Sequence, residues 1–267
     1  MQRILPIILC AIILGCSSEQ KPIAERAPNV SAVPAPKEAL VHTYSVVRTL
    51  PHDSKAYTQG LNFYRGVFIE STGQFGQSTI RSVVPGTGTV QRKESLEDKY
   101  FGEGCTILNG KGYLVTWLNQ TGFVFDPITL RRSKQFAYSG EGWGLTNDGA
   151  NLIMSNGTST ITFHEPDTYR VTRSIQVTLN GSPVMNLNEL EWIEGEIWAN
   201  IWQTDRVVRI NPADGIVNGV IDFTGLLSEQ DRTPSTDVLN GIAYDSASKA
   251  IYVTGKNWPH VFEVKVR

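Results

Sequence analysis

Acidic and amide side chains beside glycines are the residues of this chain best suited to chemistry. Gln59 lies in the segment Tyr-Thr-Gln-Gly, Glu103 in Phe-Gly-Glu-Gly, and Asn188 in Leu-Asn-Glu-Leu-Glu-Trp. A carboxylate can accept and return a proton, and a side-chain amide can hold a polar group by hydrogen bonds. Each segment opens a short apolar run, so these side chains recur at comparable places along the chain.

Tryptophans and a lysine occupy a second set of related positions. Trp143 lies between glycines, and Trp117, Trp202 and Lys256 each end a strongly apolar run. A lone Glu beside glycine is typical of a turn, and a lone Trp is typical of a core. The recurrence of such residues at equivalent places instead indicates one pocket with apolar walls and a few placed polar groups.

The elements that must position these residues are short strands. From residue 41 onward, apolar-alternating runs of about five residues, such as 113–117, 152–155 and 251–254, are separated by Gly, Asn, Asp and Pro. No run of about eleven residues has convincing helical periodicity. The sequence therefore predicts an all-β protein.

A fivefold repeat organises these strands. Each unit begins with a strand rich in small residues, continues with a strongly apolar strand, and adds a third and a fourth strand. Five such units of about 40 to 50 residues predict a five-bladed β-propeller over residues 41–267. The last unit lacks an outer strand, which residues 43–48 can supply, so that no sheet edge stays unpaired. An open five-repeat solenoid is the alternative.

This architecture locates the site. The innermost strands of a propeller line its axis, and their ends form a funnel. Gln59, Glu103, Trp143 and Asn188 belong to first strands, whereas Trp117, Trp202 and Lys256 come from the ends of second strands. We therefore expect a site at the mouth of the funnel, built from both strand layers of all five blades.

The N-terminus indicates export. Residues 4–14 are almost wholly apolar but too few to span a bilayer, which is typical of a signal peptide over residues 1–16. Ile-Leu-Gly-Cys (13–16) resembles a lipobox and predicts lipidation of Cys16; a plain secretory signal is the alternative. Ser17 favours the outer membrane, facing the periplasm. Residues 17–40, rich in Ser, Pro and Ala, are expected to be a flexible linker.

Charge and cysteine content exclude several classes of function. The formal net charge is −2 and no long basic run occurs, so nucleic-acid binding is not expected. Only Cys105 lies in the predicted propeller, which leaves no internal disulfide and no zinc cluster. We expect Cys105 to be a small buried residue.

Six motifs together resemble one family. They are Tyr-Thr-Gln-Gly-Leu (57–61), Phe-Gly-Glu-Gly (101–104), Gly-Glu-Gly-Trp-Gly-Leu-Thr (140–146), Leu-Asn-Glu-Leu-Glu-Trp (187–192), Ile-Trp-Ala-Asn-Ile-Trp (197–202) and Gly-Lys-Asn-Trp-Pro (255–259). In this order and spacing they resemble the glutamine cyclotransferases of the plant-latex and bacterial type. That resemblance implies a five-bladed propeller that converts N-terminal glutamine of peptides or proteins to pyroglutamate and releases ammonia.

The resemblance also implies roles for individual residues. Glu103 matches the general acid/base of the family. The other matching positions are polar pocket residues, aromatic walls and an apolar rim: Gln59, Asn188, Lys256, Trp117, Trp143, Trp202 and Phe101. Tyr57 stands where a relative has Phe. No cofactor is expected to be required, although a structural cation in the axial channel is possible, and a monomer is expected.

Two other functions remain open from the sequence. A propeller can serve as a non-catalytic periplasmic scaffold or peptide-binding protein, because this fold hosts many functions. A metal-dependent, lactonase-type propeller would need several carboxylates around an axial cation. Glu141, Glu189 and Glu191 are the candidates for such a site.

Overall fold

The computed structural model describes residues 39–267, which form strands, turns and one short 3₁₀ helix. The predicted signal peptide, Cys16 and nearly all of the predicted linker lie outside these residues. Among the described residues, no helix is both long and apolar enough to cross a membrane.

The strands follow the predicted units. Two N-terminal strands, β1 (Leu40–His42) and β2 (Tyr44–Pro51), come first. The first blade contains β3 (Thr58–Tyr64), β4 (Val67–Thr72), β5 (Thr79–Val83) and β6 (Val90–Ser95). The second contains β7 (Gly102–Leu108), β8 (Lys111–Thr116), β9 (Thr121–Phe125) and β10 (Arg132–Ala137). The third contains β11 (Leu145–Asn147), β12 (Leu152–Met154), β13 (Thr160–His164) and β14 (Val171–Gln176).

The remaining strands complete the molecule. A small hairpin of β15 (Thr178–Leu179) and β16 (Ser182–Pro183) precedes the fourth blade. That blade contains β17 (Leu187–Ile193), β18 (Glu196–Ile201), β19 (Arg206–Ile210) and β20 (Val217–Asp222). The 3₁₀ helix (Glu229–Asp231) follows, and then β21 (Leu239–Asp245), β22 (Ala250–Gly255) and β23 (His260–Val266).

The blades close into a ring, as predicted. The first strands contact one another in sequence around the axis, and β21 of the last blade contacts β3 of the first. Strand β2 pairs antiparallel with β23, from Tyr44 opposite Val266 to Pro51 opposite His260. The N-terminal strand is therefore the outer strand of the fifth blade, and the open solenoid is wrong.

One pairing was not predicted. Strand β1 runs parallel to β20 and adds a fifth strand to the fourth blade, with Leu40 opposite Gly219. Leu40, the last residue of the predicted linker, therefore already belongs to the sheet. A parallel pairing between residues so distant in sequence leaves no local pattern that would indicate it.

Glycines let the first strands approach closely. A Cβ atom at Gly60 would collide with the backbone of Cys105, and one at Gly104 would collide with the backbone of Leu145. The sheets are thus crowded at the axis and fan outward. Cys105 is fully buried there, as expected, and burial raises the pKa of its thiol to about 12.

Two carboxylates of β17 tie the ring together at its centre. Glu189 accepts the backbone N–H groups of Leu61 and Ile242, at 3.2 and 2.8 Å. Glu191 accepts the backbone N–H of Tyr244 at 3.0 Å. The inner edges of the first strands have no neighbouring strand, so such side chains satisfy backbone donors that would otherwise be unpaired. Burial raises the pKa of both carboxyls, and that of Glu191 reaches about 8.

A buried ionic network lies between the first and fifth blades. The Glu70 carboxylate accepts hydrogen bonds from Arg81 Nε at 2.9 Å, Thr58 Oγ1 at 2.7 Å and His52 Nε2 at 3.0 Å. His52 directly follows the closing strand β2, and its Nδ1 lies 2.7 Å from the carbonyl oxygen of Trp258. The network therefore fastens the closing strand to the two blades that it joins.

Candidate active site

A cavity of about 230 Å³ opens at one end of the axial channel. Its walls contain all nine residues that the sequence predicted for the site, together with one that it did not: Tyr57, Gln59, Gln74, Phe101, Glu103, Trp117, Trp143, Asn188, Trp202 and Lys256. Every blade contributes at least one of them. The fold thus brings together residues that are as much as 199 positions apart (Tyr57 to Lys256) in the sequence.

Strand direction explains why these residues meet. Gln59, Glu103 and Asn188 are each the second residue of a first strand. Trp117, Trp202 and Lys256 follow immediately after second strands. The first strand of a blade begins where its antiparallel neighbour ends. Both sets therefore lie at the same end of the ring, as the sequence predicted. Trp143, which the sequence assigned to a first strand, instead lies two residues before β11.

Glu103 is the buried carboxylate of the cavity. Only 4 % of the residue is exposed, and its Oε1 accepts a hydrogen bond from Gln59 Nε2 at 2.8 Å. Burial raises the pKa of Glu103 well above its usual range, although Lys256 and the Gln59 hydrogen bond oppose this shift. The negative charge of Glu141 raises this pKa further. Glu103 can therefore exchange a proton at a pH where an ordinary carboxyl is fully ionised.

Lys256 is the buried cation of the site. Its Nζ lies 4.7 Å from the centre of the Tyr57 ring, within the range of a cation–π interaction. Burial lowers the pKa of Lys256, while Glu103 and Asp237 oppose that shift. The residue follows β22 and is held by backbone hydrogen bonds with Asp237 and Val238, at 3.0 and 2.9 Å.

Amide groups complete the polar wall. The Gln59 Oε1 accepts a hydrogen bond from Asn240 Nδ2 at 3.2 Å, which fixes Gln59 with its Nε2 toward Glu103. Asn188 is almost fully buried, and its Oδ1 has no hydrogen-bond partner among residues 39–267. A buried acceptor without a partner is costly, so Asn188 offers a site for a donor from a ligand.

Aromatic rings form the rest of the wall in two groups. In the first, Phe101 contacts Tyr57 and Trp117 with ring centroids 6.1 and 5.6 Å apart. In the second, Trp143 contacts Trp202 at 5.5 Å. All three contacts are edge-to-face, an arrangement that aromatic pairs prefer. The walls are therefore apolar and rigid around a small polar centre.

The sequence analysis missed Gln74, Asn240 and Asp237. Gln74 follows β4 by two positions, close to the place that Trp117, Trp202 and Lys256 occupy after their own second strands. That equivalence was a usable signal. Asn240 is the second residue of β21, the place that Gln59, Glu103 and Asn188 occupy in their own first strands, so the repeat also indicated it. Asp237 contacts Lys256 through the backbone, and no sequence pattern reveals that contact.

The three carboxylates considered for a metal site, Glu141, Glu189 and Glu191, each accept hydrogen bonds from different protein groups. Glu141 accepts hydrogen bonds from the indoles of two residues that line the cavity, Trp117 and Trp143. Glu189 and Glu191 accept backbone donors near the axis. Within residues 39–267, no group of three or more His, Cys, Asp or Glu side chains is arranged to hold a metal ion.

Comparisons with known proteins agree with this geometry. The profile of the glutamine cyclotransferase family matches residues 8–266. The chain is 43% identical over 234 residues to a glutaminyl-peptide cyclotransferase of Arabidopsis thaliana, covering 85% of this chain and 72% of that protein. It also resembles the crystal structure of Myxococcus xanthus glutaminyl cyclase, with 39% identity, a TM-score of 0.80, and coverage of 86% and 98% of the two chains. The resemblance found in the sequence motifs is confirmed, and the chain belongs to the glutamine cyclotransferase family.

Proposed function

We propose that this protein is a glutaminyl-peptide cyclotransferase, which converts the N-terminal glutamine of peptides or proteins to pyroglutamate and releases ammonia. The observation that carries the proposal is the buried Glu103 carboxyl, held by Gln59 at 2.8 Å inside an aromatic cavity. Family membership supports this activity over a non-catalytic scaffold. The activity of the matched family also specifies the reaction whose steps the site residues must carry out.

The reaction needs one proton to move within the substrate. The neutral α-amine attacks the γ-carboxamide carbon and forms a C–N bond, and the bond to the former amide nitrogen then breaks. The amine nitrogen loses one proton and the departing nitrogen gains one, so that ammonia leaves. Glu103 is the general acid/base that transfers it, because a carboxyl whose pKa is raised by burial both accepts a proton and returns it more readily than an ordinary carboxyl.

The tetrahedral intermediate carries negative charge on oxygen. Lys256 is the cation of the cavity, and the Gln59 amide lies beside Glu103. In our proposal Lys256 stabilises the oxyanion, as placed donors do in acyl-transfer sites. The free Oδ1 of Asn188 accepts an N–H of the substrate, which holds its amine or its carboxamide.

The aromatic walls supply orientation. Attack within one residue is fast only when the amine and the γ-carboxamide carbon are held close to the reacting geometry. Trp117, Trp143 and Trp202 enclose the cavity from separate blades and exclude water. Their faces also attract the cationic N-terminus before it loses its proton.

The test is ammonia release by the purified protein from a dipeptide that begins with Gln. Two matched substrates serve as controls. An N-acetylated Gln peptide has no free amine, and an Asn-initiated peptide is one methylene too short to form the five-membered ring. Ammonia and pyroglutamate from the Gln peptide alone support the proposal; no ammonia from it would overturn the proposal.

We propose, further, that catalysis requires no cofactor and that any cation in the axial channel is structural. Proton transfer and oxyanion stabilisation are both available from Glu103 and Lys256. The buried Oδ1 of Asn240 has no partner among residues 39–267 and is a hard ligand of the kind that Ca²⁺ accepts. Turnover that is unchanged by a chelator supports this proposal, and turnover restored only by added metal contradicts it.

The cellular location is a separate proposal, which the sequence alone supports. We propose that the chain is exported, cleaved before Cys16 and anchored by lipid on that cysteine to the outer membrane, facing the periplasm. The globular domain then acts as a monomer on exported peptides or proteins. A Cys16→Ser variant should move from the membrane fraction to the soluble periplasmic fraction; unchanged membrane association would contradict lipid anchoring.

A further inference from the structure

Glu141 joins two aromatic groups that otherwise do not touch. Tyr57, Phe101 and Trp117 form one chain of edge-to-face contacts, and Trp143 and Trp202 form another. Among the described residues, no ring contact connects Trp117 to Trp143. The Oε2 atom of Glu141 accepts hydrogen bonds from both indole Nε1 atoms, at 2.7 and 2.8 Å.

The loop that carries Glu141 is itself firmly placed. Gly142 donates its backbone N–H to the carbonyl oxygen of Trp117 at 3.3 Å, which ties this loop to the second blade. A Cβ atom at residue 142 would press on the Tyr138 hydroxyl and the Val115 side chain, so only glycine fits there. The carboxylate therefore reaches the two indoles from a backbone that cannot shift easily.

The other sides of Trp143 are also fixed. A Cβ atom at Gly157 would collide with the Trp143 ring, so the indole lies directly against the backbone there. The ring edge meets Trp202. A carboxylate–indole hydrogen bond is charge-assisted and roughly twice as strong as a neutral one. Once that bond is made, each indole has little freedom to rotate into the cavity.

We propose that Glu141 is a positioning residue: one carboxylate oxygen locks the indoles of Trp117 and Trp143 and so holds the cavity open to the width of a glutaminyl side chain before substrate arrives. This inference rests on the proposed cyclotransferase activity. It assigns Glu141 no contact with the reacting atoms. The residue acts through the two tryptophans.

The charge of Glu141 has a second, separable effect. The negative charge of its carboxylate raises the pKa of Glu103. A Glu141→Gln variant keeps an oxygen that can accept both indole hydrogen bonds but loses the charge. A Glu141→Ala variant loses both. Comparison of the two therefore separates the geometric role from the electrostatic one.

The test compares Glu141→Ala, Glu141→Gln and Glu194→Gln with the wild type. Glu194 is an exposed residue of the turn between β17 and β18, at the opposite end of the strands from the cavity, and is the control for loss of a surface carboxylate. We expect Glu141→Ala to lower kcat/KM on a Gln dipeptide by about tenfold to a hundredfold, the usual effect of misplaced substrate. Glu141→Gln should recover most of that loss, and Glu194→Gln should match the wild type.

A measurement made without substrate tests the role of Glu141 independently of the proposed cyclotransferase activity. Near-ultraviolet circular dichroism reports the fixed Trp143–Trp202 pair, so its signal should fall in Glu141→Ala and persist in Glu141→Gln. Thermal midpoints of all variants should agree with that of the wild type within a few degrees. If the wild type released no ammonia, the proposed function would fail while the dichroism still tested the indole lock. Unchanged dichroism in Glu141→Ala, or equal loss of activity in the Ala and Gln variants, would overturn the inference.

Discussion

Gln59 and Glu103 occupy the same position in adjacent blades, each the second residue of its first strand, and their side chains are joined by a 2.8 Å hydrogen bond. The repeat of the fold thus places an amide donor beside the buried carboxyl. Asn240 in turn holds the Gln59 oxygen. The carboxyl that we propose for proton transfer is therefore oriented by residues from the first and fifth blades.

Replacement of Glu103 by Gln should abolish most turnover and preserve the fold. The amide has the shape of the carboxyl but cannot shuttle a proton, so kcat should fall by about 10²- to 10⁴-fold. Because burial raises the pKa of Glu103, an uncharged residue is well tolerated there, and the thermal midpoint should not decrease. Ammonia release and a melting curve measure the two effects. A Glu103→Gln protein with near wild-type turnover would remove Glu103 from the proposed role.

Loss of the Lys256 charge should slow the reaction more than it weakens the protein. Lys256→Met keeps an unbranched side chain, whereas the cation, which lies over the Tyr57 ring and faces the oxyanion in our proposal, is removed. We expect kcat to fall by about 10²- to 10³-fold, as for other oxyanion donors. Since Lys256 lowers the pKa of Glu103, the acid limb of the kcat/KM profile should also move to higher pH. A lower thermal midpoint with full residual activity would show instead a structural role.

The protein should become less stable as the pH rises, because the folded state holds Glu191 in its protonated form. The folded state keeps this carboxyl protonated up to a pKa of about 8, whereas the unfolded chain loses the proton near its ordinary value. The stabilisation is therefore complete below the ordinary pKa and is lost as the pH passes through 8, by up to about 1.4 kcal/mol per pH unit. Glu191→Gln has no group that titrates at this position. The difference in unfolding free energy, variant minus wild type, should therefore increase from pH 5 to pH 8. Denaturant titrations at several pH values measure this difference, and parallel curves would contradict it.

The Glu70 network should respond to pH in the opposite direction. Burial opposes ionisation of Glu70, but Arg81 and His52 and the Thr58 hydrogen bond lower its pKa to about 2. Its stabilisation is present above the ordinary carboxyl pKa and is lost as the pH falls through 2. At pH 7, Glu70→Gln leaves Arg81 buried without its main partner and should cost about 3–5 kcal/mol of unfolding free energy.

The exposed pair of Glu97 and Arg132 provides the matched control for Glu70. Their atoms lie 2.5 Å apart, but about half of the Glu97 side chain is exposed. Exposed ion pairs contribute about 0–1 kcal/mol, so Glu97→Gln should change the denaturant midpoint only slightly. Equal effects of the Glu70 and Glu97 variants would show that burial does not decide the strength of the first network.

Local patterns in the sequence predicted most of the fold and the members of the site. The fivefold alternation of small-residue and apolar strands gave the blades and the closing strand β2, because strand spacing and turn residues are local properties. The parallel pairing of β1 with β20 escaped prediction, because it joins residues far apart in the chain. Gln74 was not predicted as a site residue, because it lies two positions after the end of β4, whereas the equivalent residues of other blades follow their strands directly.

By itself the sequence determined that the chain is a propeller and which residues meet at its mouth. Residue type, order and spacing repeat from blade to blade, so equivalent positions could be identified without coordinates. Only the tertiary structure decided what each group does to its neighbours. The raised pKa of Glu103, the free oxygen of Asn188 and the shared contact of Glu141 with Trp117 and Trp143 all depend on distances between blades. Electrostatic and hydrogen-bond energies change steeply with such distances and with burial. The order of residues along a chain specifies neither the distances nor the burial.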